Sequence, residues 1–179
     1  MVRKDDVVAR KWIEQALHDL NMAEKNLSIE GYDVAAFLSH QAVEKLLKGI
    51  IAKNGERIPK THYIDELGKS LNLPENILEL LYDLSVDYQF ARYPDMSDVV
   101  PYLHYTESIA RRKVKNTRCI FEFLEGSTDQ FWSKKHGKGY LAGKIQERGA
   151  PPDSLPYPSG KSGGIWIQNP WQRYRRIRY

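Results

Sequence analysis

The chain has 179 residues, a formal net charge of +4, 41% hydrophobic residues and 28% charged residues. These values are typical of a folded globular protein and argue against collagen-like or fully disordered chains. The longest apolar stretches fall far short of the roughly 18 residues that a membrane helix needs, and the charged N-terminus does not resemble a secretory signal. The single cysteine, Cys119, excludes an intrachain disulfide and a thiolate metal cluster, and the five histidines lack metal-binding spacing. We therefore expect a cytoplasmic protein without a metal or cofactor.

The charge is divided unevenly along the chain. Residues 126–179 contain ten Lys or Arg and three acidic residues, a net charge of +7, whereas the remainder carries −3. Three of the four tryptophans, eight of the twelve glycines and five of the nine prolines also lie after residue 125. Such an abrupt change marks a boundary. We predict one domain over residues 1–125 and a basic, irregular extension over 126–179, whose own core would be too small for an independent domain.

The first part of the chain has helical periodicity. Apolar residues recur at helical spacing over residues 7–28 and again over residues 34–53. Gly31 is expected to end the first helix, and Asn54-Gly55 the second, because these residue types favour helix C-termini. Asp33 is a predicted N-cap for the second helix.

Shorter helices are predicted in the middle of the chain. One should follow His62, and the next should begin near Pro74 and end before Pro94, because the residue preceding a proline avoids helical geometry. A last long helix is predicted from Ser97 or Asp98 onwards, with Val99, Leu103, Thr106, Ala110 and further residues to Leu124 on its inward stripe. No strand pattern occurs before residue 126. The predicted fold class is therefore all-α, an antiparallel up-and-down helical bundle.

The second predicted helix has apolar residues outside its main apolar arc. Phe37 and Ile51 lie on the nominally wet face, together with His40, Glu44 and Lys48. A large apolar side chain on a polar face indicates a second buried surface, and we infer a subunit interface or a ligand groove there. The alternative is an exposed Phe without a role.

Three segments resemble one family in order along the chain. The segment 37–48, Phe-Leu-Ser-His-Gln-Ala-Val-Glu-Lys-Leu-Leu-Lys, is similar to the signature helix of the HEPN domain. A Thr-His pair at 61–62 with an apolar run to Leu67, and an Arg-Tyr-Pro-Asp element at 92–95, then follow in the family's order. The resemblance covers roughly residues 7–125.

The resemblance carries expectations about fold, partners and activity. HEPN domains are helical bundles that commonly form homodimers, and small prokaryotic and archaeal members often pair with a minimal nucleotidyltransferase in toxin–antitoxin-like modules. Many are metal-independent ribonucleases whose motif is an Arg followed, after four to six residues, by a His. Such a His can act as general acid or base on RNA, while the Arg stabilises the charge on the phosphorane-like transition state.

The sequence departs from this ribonuclease motif. Positions 97, 98 and 99 would hold the His that follows Arg92, but they are Ser, Asp and Val. The next histidine is His104. We therefore expect a module that binds nucleotide or RNA without the intact motif. A ribonuclease that uses Arg92 with the displaced His104 is one alternative, and a non-catalytic dimeric scaffold is the other. The candidate ligand-binding residues are His40, Glu44, Lys48, Arg92, Tyr93 and Asp95.

Each candidate residue also has a purely structural interpretation. Arg92 can pair with Asp95 or Asp98 at a helix junction, and Asp95 can cap a turn. His40 is interpreted as a helix-surface residue with Glu44 as its partner one turn later. His62, next to a helix start, is interpreted as part of a cap.

The end of the extension interleaves arginine with aromatic residues. The predicted nucleic-acid contacts are Trp171, Arg173, Arg175, Arg176 and Arg178, because Arg can neutralise phosphates and aromatic rings can stack on bases. The alternative is a solvated tail, or one drawn to the acidic bundle by charge.

Overall fold

A computed structural model gives the fold and describes the backbone of residues 4–136 and the side chains of residues 5–125. Seven α-helices follow one another in this part of the chain: α1 (Lys4–Ser28), α2 (Tyr32–Lys53), α3 (Ile64–Ser70), α4 (Glu75–Ser85), α5 (Asp87–Phe90), α6 (Pro101–His104) and α7 (Glu107–His136). A 3-10 turn, Pro94–Met96, separates α5 from α6. The all-α fold class is confirmed, with no strand among the described residues.

Helices α1 and α2 form an antiparallel hairpin. The Asp19 carboxylate contacts the Lys45 ammonium in the middle of the hairpin, and Gly49 of α2 lies against Trp12 and Ile13 of α1 further along. A Cβ atom on Gly49 would lie 2.6 Å from Cγ1 of Ile13, so only glycine permits this approach without a shift of the core.

Helix α7 packs along both members of the hairpin, and α3 and α4 close the remaining side. Their buried apolar side chains form one core, with Ile13, Leu46, Leu47, Ile51, Ile64, Leu67, Leu81, Leu84, Ile120 and Phe121 at its centre. No helix in the described part of the chain is both long and apolar enough to span a membrane.

The start of the last long helix differs from the sequence prediction. The helix begins at Glu107, not at Ser97 or Asp98, and Val99 and Leu103, which were assigned to its inward stripe, are exposed. Pro101 explains the difference, because the preceding Val100 has the extended ψ of 146° that a following proline favours. The segment between α5 and α7 is therefore a turn and one short helix.

Two further local predictions have clear outcomes. Asp33 is not the N-cap of α2, because that position is held by Gly31 and no side chain bonds to it. The predicted end of α2 is confirmed: Asn54 is its C-cap, and Gly55 adopts a positive φ of 79°.

The backbone of α7 continues to His136, eleven residues beyond the boundary predicted from composition.

Candidate functional site

A column of polar side chains lies buried along one face of α2. His40, Glu44 and Lys48 are spaced four residues apart, so successive helical turns place them above one another. All three are buried, and His40 is completely so, at 0% exposure. The Lys48 ammonium donates a hydrogen bond of 2.8 Å to Oε1 of Glu44 and lies 5.7 Å from the centre of the Trp12 ring. Buried charges of this kind need partners, and each has one here.

His62, in the segment between α2 and α3, covers the upper part of this column. Its Nδ1 donates to Oε1 of Glu44 at 3.1 Å, and its backbone carbonyl accepts a hydrogen bond of 3.2 Å from Nε2 of His40. Because a carbonyl can only accept, Nε2 of His40 carries a proton, and the neutral ring then leaves Nδ1 bare. That buried Nδ1 has no hydrogen-bond partner in the described part of the chain. Burial lowers the pKa of His40 to about 4.

Tyr88 of α5 joins the two histidines. Its ring stacks on His62, with centres 4.8 Å apart and planes 10° from parallel. It also contacts the His40 ring in a tilted arrangement at 5.4 Å. These contacts fasten α5 to α2 and to the segment that precedes α3.

Arg92 follows α5 and lies over three aromatic rings. Its guanidinium carbon is 5.1 Å from the centre of Tyr88, 5.4 Å from Tyr93 and 5.5 Å from Phe37. Arg92 is exposed, and no carboxylate within the described residues forms an ion pair with it. These cation–π contacts restrict where the guanidinium can lie, and no hydrogen bond within the described residues occupies its N–H donors.

The site therefore combines an oriented surface cation with exposed rings. Tyr93 is exposed, and the His62 side chain is 51% exposed although one face lies on Tyr88. An exposed guanidinium suits phosphate or carboxylate groups, and exposed rings suit planar ligands. The ion pair between Lys48 and Glu44 lies beneath this surface and is buried.

The structure brings together five of the six predicted ligand-binding residues. His40, Glu44 and Lys48 form the buried column. Tyr88 contacts both His40 of this column and Arg92, and Arg92 contacts Tyr93. Asp95 lies in the exposed turn Pro94–Met96. The bonds of the following turn come from Ser97, whose hydroxyl donates to the carbonyl of Val99 and accepts from its N–H, and not from Asp95.

The predicted catalytic partners Arg92 and His104 have different neighbours. The rings that contact His104 are Phe90, at 6.4 Å, and Tyr105, at 5.2 Å. Neither ring is among the described rings that contact Arg92. The catalytic pairing of Arg92 with His104 therefore stays a prediction.

Three structural interpretations from the sequence are wrong. His40 is a buried residue and not a helix-surface one, because the segment around His62 and α5 cover its face of α2. His62 caps no helix: α3 begins after Tyr63 without a side-chain cap. Arg92 contacts rings and not the carboxylates of Asp95 or Asp98 in the described structure.

The second buried face predicted on α2 is present. Ile51 is buried, Phe37 is half-buried, and the buried polar column shares their face. Its cover comes from this chain itself. Tyr88 is the residue of the site that the sequence does not single out, because it lies in the helix predicted between Pro74 and Pro94 and outside every segment of the family resemblance. The Thr-His pair of the HEPN resemblance was the signal that contained His62.

The tail residues Trp171, Arg173, Arg175, Arg176 and Arg178 lie outside the described residues. Among the described side chains, no group of three or more His, Cys, Asp or Glu is arranged to hold a metal ion.

Solved structures that are similar to this chain include three proteins of known source or family. One from Thermus thermophilus is 32% identical, with a TM-score of 0.62 over 66% of this chain and 97% of its own. An archaeal HEPN homologue is also 32% identical, with a TM-score of 0.59 over 73% of this chain and 99% of its own. A HEPN domain protein from Thermotoga maritima is 22% identical, with a TM-score of 0.53 over 65% of this chain and 95% of its own, and supports the fold alone.

Comparison with curated proteins gave no match. The HEPN domain matches residues 9–127, which contain every helix that supplies the site except for the ends of α1 and α7. This match covers well over half of the chain and agrees with the archaeal HEPN homologue of the same fold. The chain therefore belongs to the HEPN domain family.

Proposed function

We propose that this protein binds nucleotides or RNA through Arg92, in a two-component module with a nucleotidyltransferase partner. The observation that carries the binding proposal is the exposed Arg92 guanidinium, held on Tyr88, Tyr93 and Phe37 without a carboxylate partner in the described structure. A surface arginine with its donors open and its orientation fixed is suited to bind a phosphate group.

Exposed rings beside this cation extend the match to nucleotides. Tyr93 is next to Arg92 in sequence and exposed, so its ring can stack on a base while Arg92 holds a phosphate. The His62 side chain, which is 51% exposed, stacks on the same Tyr88 ring that Arg92 contacts. These are the two elements of single-stranded RNA binding, a cation for the backbone and rings for the bases.

The test measures the affinity of the full chain for a fluorescein-labelled single-stranded RNA by fluorescence anisotropy in EDTA. Arg92→Ala should weaken binding about tenfold or more, because a charge-assisted hydrogen bond is lost. Arg111→Ala is the matched control, since Arg111 is an exposed arginine already paired with Glu107 at 2.7 Å. Equal loss in both variants, or none in Arg92→Ala, would contradict the proposal.

The basic extension requires its own arm of this experiment. A full-length variant with Arg173, Arg175 and Arg176 changed to Gln removes three charges from the predicted tail contacts. If the tail contributes, RNA affinity falls in this variant and the salt dependence of binding becomes less steep. AMP should displace RNA that is bound at the Arg92 site. We expect this competition to persist in the tail variant and to be lost in Arg92→Ala, which distinguishes the two sites.

A second candidate function is RNA cleavage, and one observation favours a new partner for Arg92. His62 and Arg92 both contact the Tyr88 ring, at 4.8 and 5.1 Å. In this mechanism His62 takes the proton from a ribose 2′-OH, the 2′ oxygen attacks the adjacent phosphorus, and the bond to the 5′ oxygen breaks. The leaving 5′ oxygen takes up a proton from water, and the proton held by His62 returns to the resulting hydroxide. The products are a 2′,3′-cyclic phosphate and a 5′-OH end. Arg92 stabilises the charged transition state.

Cleavage of structured RNA in EDTA tests this second function. Loss of cleavage in His62→Ala and Arg92→Ala, but not in His104→Ala, supports His62. Loss in His104→Ala instead supports the pairing expected from the sequence. Binding without cleavage in the wild type leaves the binding module, and neither binding nor cleavage leaves the scaffold role.

The proposals of a homodimer and of a nucleotidyltransferase partner are based chiefly on what is common in the HEPN family. A run of exposed apolar side chains after the site, Val99, Val100, Tyr102 and Leu103, is suited to a protein interface. Sedimentation of the wild type and of a Tyr102→Ser, Leu103→Ser variant tests the dimer, which should be lost in the variant. Co-purification with the product of the neighbouring reading frame tests the partner.

A further inference from the structure

A second buried polar cluster lies at the start of α5, next to the residues of the candidate site. Asp87, the first residue of α5, is 1% exposed. Its Oδ1 accepts a hydrogen bond of 2.7 Å from the Tyr105 hydroxyl, and its Oδ2 forms an ion pair of 3.0 Å with the Lys113 ammonium. Tyr105 precedes α7 and Lys113 lies within it, and both are buried.

The same lysine also holds the end of α4. The Lys113 ammonium donates to the backbone carbonyl of Asp83 and lies 3.3 Å from its carboxylate. Asn116 of α7 donates to that carboxylate at 2.9 Å, and Arg112 approaches it at 3.4 Å. Lys113 therefore joins the end of α4, the start of α5 and α7 at one point.

Helix α5 depends on such external contacts for its position. It has only four residues, and a helix of this length is not stable without tertiary contacts. Asp87 and Tyr88 are consecutive, so their side chains leave the helix about 100° apart. One side of α5 is thus fixed by Tyr105 and Lys113, and the other presents Tyr88 to His62 and Arg92.

Stability alone does not explain why a carboxylate is buried at position 87. Burial raises the pKa of Asp87 to about 6, although Lys113 and Tyr105 oppose the shift and Asp83 adds to it. Burial therefore outweighs the favourable partners. Buried ion pairs of this kind are often replaceable by apolar residues without loss of stability, so a role in fixing geometry is the better explanation of this one.

We propose that Asp87 is a positioning residue for the Arg92 site. Its hydrogen bond with Tyr105 and its ion pair with Lys113 fix the start of α5, and α5 in turn holds Tyr88 against the Arg92 guanidinium. The effect on ligand affinity rests on the proposed function, whereas the effect on the position of Arg92 does not.

The test compares Asp87→Asn with the wild type in the full chain, and the readout is the Nε–Hε resonance of Arg92 in NMR spectra. Ring currents from Tyr88, Tyr93 and Phe37 displace this resonance while the stacking persists. Asp87→Asn should move this resonance towards the position of an arginine without ring contacts. It should also weaken binding of the labelled RNA at least about threefold, which is less than the loss expected for Arg92→Ala, because the Arg92 charge remains. Asp19→Asn is the matched control, because Asp19 is also a buried aspartate with a lysine partner, Lys45, but it joins α1 to α2 and not α5.

The outcomes separate this inference from the proposed function. An unchanged Arg92 resonance in folded Asp87→Asn overturns the positioning role, whatever the RNA affinity. Absence of RNA binding in the wild type overturns the proposed function, and the resonance still decides the role of Asp87. If Asp87→Asn fails to fold, Tyr105→Phe removes only the hydroxyl that bonds Asp87 and should shift the resonance in the same direction. No shift in that variant overturns the inference.

Discussion

Tyr88 and His62 stack face to face, with ring centres 4.8 Å apart and planes 10° from parallel. One residue belongs to a four-residue helix and the other to the segment between α2 and α3, so this contact joins two parts of the chain that have little regular structure of their own. Arg92 contacts the same tyrosine ring, with its guanidinium carbon 5.1 Å from the ring centre. Tyr88 is therefore the common support of the histidine and the arginine.

The role of Tyr88 predicts different effects for two substitutions. Tyr88→Phe keeps the ring and should change the free energy of unfolding by less than about 0.5 kcal/mol. Tyr88→Leu removes the stacking on His62 and the support of Arg92, and should cost about 1 to 2 kcal/mol. Urea denaturation measures both. Equal costs for the two variants would show that the aromatic contacts are not what stabilises this region.

The buried pair of Glu44 and Lys48 predicts an asymmetric loss of stability. Glu44→Gln deprives Lys48 of its carboxylate and weakens the bond to His62, so we expect it to cost about 3 kcal/mol. Adding Lys48→Met removes the unpaired charge, and the double variant should be more stable than Glu44→Gln alone. A double variant that is less stable by the sum of both single costs would show that the two groups are not coupled.

Buried His40 and Asp87 predict opposite dependences of stability on pH. The pKa of His40 in the folded chain is about 4, below its ordinary value of 6.5. The unfolded chain therefore takes up this proton first as the pH falls from 6.5 to 4, and the folded state loses stability. The pKa of Asp87 is about 6, above its ordinary 3.8, so between pH 6 and 3.8 the folded chain takes up that proton first and gains stability.

Variants separate these two contributions. Asp87→Asn removes the stabilising proton uptake of Asp87 and leaves the destabilising protonation of His40. The free energy of unfolding should therefore fall more steeply below pH 6 than in the wild type, by about 1 kcal/mol per pH unit. His40→Gln should show the reverse change of slope. Urea denaturation between pH 7 and about 4 measures both, and parallel curves for all three proteins would contradict the assignment.

The close approach of α1 and α2 predicts that a helix-favouring substitution is harmful. Gly49→Ala gains up to about 1 kcal/mol of helix propensity, but the new Cβ meets Cγ1 of Ile13 and overpacking of a core costs about 1 to 3 kcal/mol. We expect a net loss of stability in urea denaturation. In an Ile13→Ala background, where that atom is absent, Gly49→Ala should be tolerated. A stabilised Gly49→Ala protein would show that the helices separate easily.

The sequence predicts the long helices well, because their apolar periodicity is local. Helix α2 ends at Lys53, as Asn54-Gly55 indicates, and its two buried faces follow from Phe37 and Ile51 among polar neighbours. The start of α7 was misplaced because the stripe through Val99 and Leu103 continues the helical period past Pro101. In that segment the local restriction by proline decides the backbone, and both apolar residues are exposed.

The site itself was only partly predictable. The family resemblance singled out Arg92 and Tyr93, and the polar face of α2 drew attention to His40. The burial of His40 depends on His62 and Tyr88, which are 22 and 48 residues away in sequence, and periodicity within α2 does not contain that information. Long-range contacts of this kind arise from the packing of irregular segments, for which the sequence offers no regular pattern.

The most direct test of the account is an NMR titration of the full chain with unlabelled single-stranded RNA, observed at the arginine Nε–Hε resonances. This measurement resolves Arg92 from the arginines of the basic extension in the same sample. We predict that the Arg92 resonance moves progressively and saturates with the RNA concentration, while that of Arg111, paired with Glu107, stays in place. Saturable binding that moves only other arginines and leaves Arg92 unchanged would contradict the assignment of Arg92 as the phosphate-binding residue.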